Sequence, residues 1–237
     1  MTNRVGKGVV AVGLLYAARR YLRDWGTTKA EAGGPLPGDE LVAAPSLTAT
    51  EGVTINTSAA SVWPWLMQLG QDRGGLYSFE KLENVVGLRY RNADRIHPEW
   101  QHLTIGDTVR LAPRGWFGLP AGVVFNVVGL DDQQSIILRD EPSQFLWDAV
   151  WSFHVVPRGE DRCRLLIRSR LALRHPGEVL KAEMLGPARA MITRGMLIGI
   201  KRRAEGDAQA EASAATASSH LHSAVPTSAG EAAAIVP

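Results

Sequence analysis

One cysteine, Cys163, in 237 residues leaves no disulfide framework, no CxxC redox pair and no cysteine-based zinc site. Charge of one sign is missing too. Twenty-six Lys and Arg stand against 24 Asp and Glu, a net charge of +2, so the chain as a whole has no bias toward nucleic acid. No apolar run reaches the roughly 20 residues that a membrane-spanning helix needs. A GxSxG elbow, a Walker loop and HExxH are also absent. What is present is apolar substance: 45% hydrophobic against 21% charged residues can bury a core, which excludes global disorder.

The charge is unevenly placed. Residues 1–30 carry Arg4, Lys7, Arg19, Arg20, Arg23 and Lys29 against Asp24 alone, around an apolar run from Gly8 to Ala18. As a helix that run measures about 16 Å, too short to span a bilayer but long enough to lie in its interface. The expectation is therefore a basic, apolar N-terminal helix over 1–25, with an anionic membrane surface as a partner for residues 5–23. A secretory signal ending at Ala17-Ala18 fits poorly, because Arg19-Arg20 follow at once. Gly6-Lys7-Gly8-Val9-Val10-Ala11 matches the letters of a dinucleotide fingerprint, yet too little chain precedes it for the strand that such a site requires.

Residues 26–48, with Gly33-Gly34-Pro35-Leu36-Pro37-Gly38, read as an extended linker. Residues 204–237 hold no Lys or Arg, no aromatics and much Ala and Ser, and read as a disordered tail. His220 and His222 in that tail do not make a metal site. A folded domain over 49–203 remains.

That domain opens with a strand at 51–57, where Val53 and Ile55 alternate with polar neighbours. Ser58 caps a helix over 59–69, and a second short helix is expected from Ser78 to Val86. Period-two segments follow at 107–111, 122–128, 135–139, 147–156 and 164–173, separated by polar loops, as in an antiparallel meander. A broad apolar face over 176–203, including Met184, Met191, Met196 and Ile200, predicts a long helix ending in Lys201-Arg202-Arg203. Only that helix is large enough to cover one face of the sheet, so the fold class is α+β.

This order, with Ala60-Ser61-Val62-Trp63-Pro64-Trp65-Leu66, the stretch Gly70 to Ser78 and the stretch Asn92 to Trp100, resembles an actinobacterial branch of the START-like SRPBCC superfamily, which includes polyketide cyclases. The resemblance spans about residues 24–203 and implies the helix-grip fold: a curved antiparallel sheet wrapped around a long C-terminal helix, with two short helices after the first strand. It also implies an apolar small molecule (lipid, polyketide or aromatic compound) held between sheet and helix. It brings no catalytic signature.

Alternation places Phe125, Trp147, Trp151, Phe153 and Ile167 on inward faces, with Met184 and Met191 on the helix above them and Tyr77 and Trp116 in loops near a pocket mouth. These are the expected ligand-binding residues; packing of the core is the competing role for each. Asp94, His97, Glu99 and His102 cluster within nine residues, but Pro98 and the five-residue His spacing do not suit a metal. Asn92 and Asp94 are equally suited to holding a loop through backbone amides. Asn56-Thr57-Ser58 fits the glycosylation letters only.

Three functions stay open. The first is binding or carriage of a hydrophobic molecule by a cytoplasmic protein, associated with membrane through its N-terminal segment, with no cofactor and no metal. The second is a cyclase or dehydratase using Asp94, His97 or Tyr77 as acid or base. The third is a membrane-associated interaction module.

Overall fold

The computed structural model describes residues 21, 23–85, 87–140, 147–173 and 177–223, with side chains at all of these except 117, 147, 177–185 and 215–223. Along the chain lie α1 (Lys29–Gly33), β1 (Leu47–Ile55), α2 (Ala59–Met67), α3 (Glu80–Val85), β2 (Thr108–Ala112), β3 (Val123–Asp131), β4 (Ser135–Asp140), β5 (Trp147–Pro157), β6 (Cys163–Leu173) and α4 (Gly177–Ser223). All six strands form one antiparallel sheet in the order β1-β6-β5-β4-β3-β2. The sheet is curved and carries α4 on its concave face, which is the helix-grip arrangement.

Local chemistry sets the ends of the elements. Ser58 caps α2 as expected, its hydroxyl accepting from the Ser61 amide at 3.2 Å. Thr28 and Glu31 close a reciprocal capping box at the start of α1. Period-two alternation then sorts the strands. Phe153, Val155, Leu165 and Ile167 point inward to the core with Met196, Leu197 and Ile200 of α4 and Val62 and Leu66 of α2.

α4 follows β1 along its length. Glu205 accepts from the Asn56 amide at 2.7 Å, Lys201 donates to the Thr54 carbonyl at 2.7 Å, and Arg189 and Arg194 approach Glu51. Lower-numbered parts of α4 therefore lie beside lower-numbered parts of β1. Close approach is possible because Gly199 has no side chain; a Cβ there would overlap the Tyr77 carbonyl.

Two expectations about the flanks need correction. Residues 26–48 are not an extended linker. They form α1 and a 3-10 turn (Asp39–Val42) laid over the convex face of the sheet. Arg168 of β6, 2% exposed, holds them there by donating to the Glu31, Ala32 and Gly34 carbonyls and to Asp39 Oδ2, the last at 2.6 Å. Nor does disorder begin at residue 204, because α4 runs on to Ser223. Ala is the best helix former, and elongation from a helix already anchored at Ile200 and Ala204 needs no new nucleus. The expected helix over 1–25 lies outside the described residues except for Tyr21 and residues 23–25, and 224–237 lie outside them as well.

Candidate functional site

Strand register divides the concave face into transverse rows. One row joins Glu51, Ile167, Phe153 and Ile136; the next joins Ala49, Ser169, Trp151, Leu138 and Val127. A third joins Leu47, Leu171, Ala149, Asp140 and Phe125. In the first row Glu51, Phe153, Ile167 and Ile136 are all at most 1% exposed. In the later rows Trp151, Ser169 and Leu171 are only half-buried, as is Val123 beyond them. The concave face is sealed at one end by α2 and the middle of α4; in the later rows Ala49, Leu138, Val127 and Asp140 stay at 1% exposed, so the partly accessible patch is confined to Trp151, Ser169 and Leu171 on β5 and β6.

The expected ligand-binding residues divide along this boundary. Phe125, Trp151 and Phe153 form an aromatic chain, with centroids 6.5 Å apart between the first two and 4.9 Å between the last two. Phe153 and Ile167 belong to the sealed part and act as core, while Trp151 stands at its boundary. Trp116 packs half-buried against the core near Gly87. Met191 is a correction: it is 41% exposed on the outer side of α4, because Ala190, Thr193, Leu197 and Ile200 take the inward positions. The side chains of Trp147 and Met184 lie outside the described residues.

The acid–base candidates fare differently. Asp94 is exposed, and His97 sits on the outer surface, stacked on Trp100 at 4.2 Å with its ring 3.1 Å from Glu99. The His97 amide donates to buried Gln68, so the segment is a brace against α2 and not part of the concave face. Tyr77 is 3% exposed and in the left-handed region at φ 60. Its hydroxyl donates to the Trp65 carbonyl at 3.1 Å, the Arg203 guanidinium lies 4.9 Å from its ring, and burial raises its phenol far above the usual range. Asn92 holds this loop by accepting from the Tyr77 amide and donating to the Ser78 carbonyl. Tyr77 is a keystone between α2 and α4.

Two carboxyl groups do occupy the concave face, and neither was expected. Asp140, 1% exposed, accepts from the Ala149 amide at 2.8 Å. Glu51, 0% exposed, faces Arg189 at 3.7 Å and Arg194 at 4.0 Å, and burial pushes it up to about 7 despite both cations. A signal for Glu51 existed in the chain, since it shares strand parity with inward-facing Val53 and Ile55. Cys163 is buried, and desolvation moves its thiol up to about 11, which makes it inert. Among the described residues no group of three His, Cys, Asp or Glu is placed to hold a metal ion.

No protein-family model and no curated protein matches the chain. Solved structures similar to it include norcoclaurine synthase from Thalictrum flavum, 16% identical with a TM-score of 0.40 over 66% of this chain and 91% of that one. Another is a solution structure from Thermobifida fusca, 16% identical with a TM-score of 0.43 over 66% and 92%. The Zhui aromatase/cyclase from Streptomyces sp. R1128 is 13% identical with a TM-score of 0.42 over 67% and 93%. What defines the helix-grip architecture of this chain is its own strand order, β1-β6-β5-β4-β3-β2, with α4 across the concave face.

Proposed function

We propose that the protein binds an apolar small molecule on the concave face, at the partly accessible patch around Trp151. The observation that carries this reading is the half-buried indole on the inner side of the sheet, one row from fully buried Phe153. An indole buries much apolar area, so leaving it partly uncovered inside a fold is costly unless a ligand completes its packing. Phe125 and Leu171 on the following row extend the same surface.

The test is native mass spectrometry of the protein purified from its own host, with organic extraction in parallel. A stoichiometric apolar compound is the expected result; a clean apo protein that binds no hydrophobic probe overturns the reading. Trp151→Ala should weaken probe binding about tenfold while leaving the fold intact, since a half-buried site tolerates truncation better than a sealed one. Phe153→Ala, by contrast, should destabilise the fold by about 3–5 kcal/mol.

A second reading, acid–base catalysis on a bound substrate, is favoured by Asp140 and Glu51 sharing the concave face. It differs from carriage in one readout: the extracted compound would be chemically altered on incubation with fresh protein.

A further inference from the structure

We propose that Glu51, Arg189 and Arg194 form a head-group pocket on the seam between β1 and α4 that takes the carboxylate of an apolar organic acid. The inference rests on the ligand-binding reading above and narrows it to a chemical class.

The cluster is unusually unsatisfied. Neither carboxylate oxygen of Glu51 has a hydrogen bond of good geometry, although the Thr193 hydroxyl is close enough to help hold its charge, and Nε of Arg189 and Nε of Arg194 are likewise buried without an acceptor. The separations of 3.7 and 4.0 Å are within ion-pair range but longer than a hydrogen bond. Buried polar groups are nearly always hydrogen-bonded, so orphaned donors and acceptors gathered at one place mark the position of a missing partner. The orphaned donors are two guanidinium N–H groups, the preferred hosts of a carboxylate.

Position supports the assignment. Glu51 lies in the last sealed row, across from Ile167, and the next row holds Ala49, half-buried Ser169 and Trp151. Because α4 follows β1, its backbone continues past Arg189 toward that row. An acid whose head group reaches the seam therefore has its apolar part beside the indole.

The charged neighbourhood sets the pH dependence. Arg189 and Arg194 face Glu51 from α4 along with Thr193, whose hydroxyl donates to the Arg189 carbonyl; Asp24 and Arg23 face the cluster from the N-terminal segment, and β6 contributes Ile167. Arg194 is further fixed by donating to the Tyr21 carbonyl at 2.8 Å and by lying over the Trp25 ring. With Glu51 protonated, the two cations act on the incoming carboxylate and the Glu51 O–H adds a donor. With Glu51 ionised, it competes with the ligand for both arginines. Binding of an acid should accordingly weaken as pH rises through the Glu51 titration at about 7.

The experiment compares dodecanoic acid, 1-dodecanol and methyl dodecanoate as competitors of a fluorescent apolar probe on the full chain. The acid should bind about tenfold tighter than the alcohol or ester near pH 6, and most of that advantage should vanish near pH 8. Glu51→Gln should keep tight acid binding near pH 8, and Arg189→Met should weaken the acid about tenfold, with alcohol affinity unchanged in both variants. Unchanged alcohol affinity also certifies that each variant is folded; if a variant fails to fold, the pH profile of the native chain decides alone. Equal affinity for all three compounds, or weaker acid binding by Glu51→Gln near pH 8, overturns the pocket while leaving the apolar site standing. If none of the three displaces the probe, or no probe binds, the pocket falls as well.

Discussion

Single buried ionisable residues give this protein opposing pH responses. His154, on the convex side of β5 with Nε2 2.9 Å from Ser152 Oγ, is pushed down to about 4 by burial and by the Arg168 charge. Its folded form is neutral, so its contribution is intact above the ordinary value of 6.5 and is lost as pH falls toward 4, about 3 kcal/mol in all. Glu51 works the other way. Its carboxyl is held up to about 7, so stability is full below its ordinary 4.5 and declines as pH rises toward 7. The two slopes oppose each other between pH 4.5 and 6.5. Urea denaturation should therefore show stability falling with pH across that window in His154→Gln and rising in Glu51→Gln. Parallel slopes in the two variants would contradict the assignment. Alternation in the chain put Phe153 and Ile167 on the inner face, where the sheet has them; Glu51 shares the parity of Val53 and Ile55, but its place on that face was not among the expectations. Alternation had no means of showing that two arginines some 140 residues away would meet that carboxylate.

At the scale of elements, α4 provides a matched pair of tests. Gly199 lies against the Tyr77 backbone, so Gly199→Ala must push α4 off the loop that Tyr77 anchors, at a cost of about 3 kcal/mol. Gly206, on the same helix, is exposed, and a Cβ there would meet nothing within 4 Å, so Gly206→Ala should gain about 1 kcal/mol from helix propensity alone. Thermal denaturation of both variants checks the contrast. The apolar pattern over 176–203 correctly located a long helix, but its face was wider than the sheet can cover. Packing chose Met196, Leu197 and Ile200 and left Met191 outside. The second short helix shows the same limit: Glu83 turns inward to Ser78 while Leu82 and Val85 are exposed.

For the whole molecule, the strap over the convex face joins the N-terminal region to the sheet. Arg168→Met removes the donors that hold the Glu31, Ala32 and Gly34 carbonyls and leaves Asp39 with Arg170 as its remaining cation, at a cost of about 3 kcal/mol from the unsatisfied buried carbonyls. Limited proteolysis should then cut within residues 29–42 before any strand of the sheet. Uniform cleavage along the chain would contradict a separable strap. Just before it, Tyr21 is 61% exposed beside Arg194, and on the same helix Met191 and, against Gly195, Phe79 are also exposed. In the sequence Tyr21 directly follows the basic pair Arg19-Arg20, and no helix among the described residues is long and apolar enough to cross a membrane. We propose surface association with anionic bilayers. The full chain should float with vesicles containing phosphatidylserine, and a chain beginning at Gly26 should float less; equal flotation would overturn the proposal.

The sequence by itself determined the elements from β1 to the first part of α4 and their order. Period-two and helical spacing depend on neighbours a few residues apart, and the apolar fraction required a sheet to be covered by its longest helix. Tertiary structure alone decided where residues 26–48 lie, how far α4 extends, and which acids share the concave face. Each of those depends on contacts between distant segments: Arg168 with α1 and the 3-10 turn, Glu205 with Asn56, and Glu51 with Arg189 and Arg194. Local propensity carries no record of such meetings, because their free energy exists only once the chain has closed on itself.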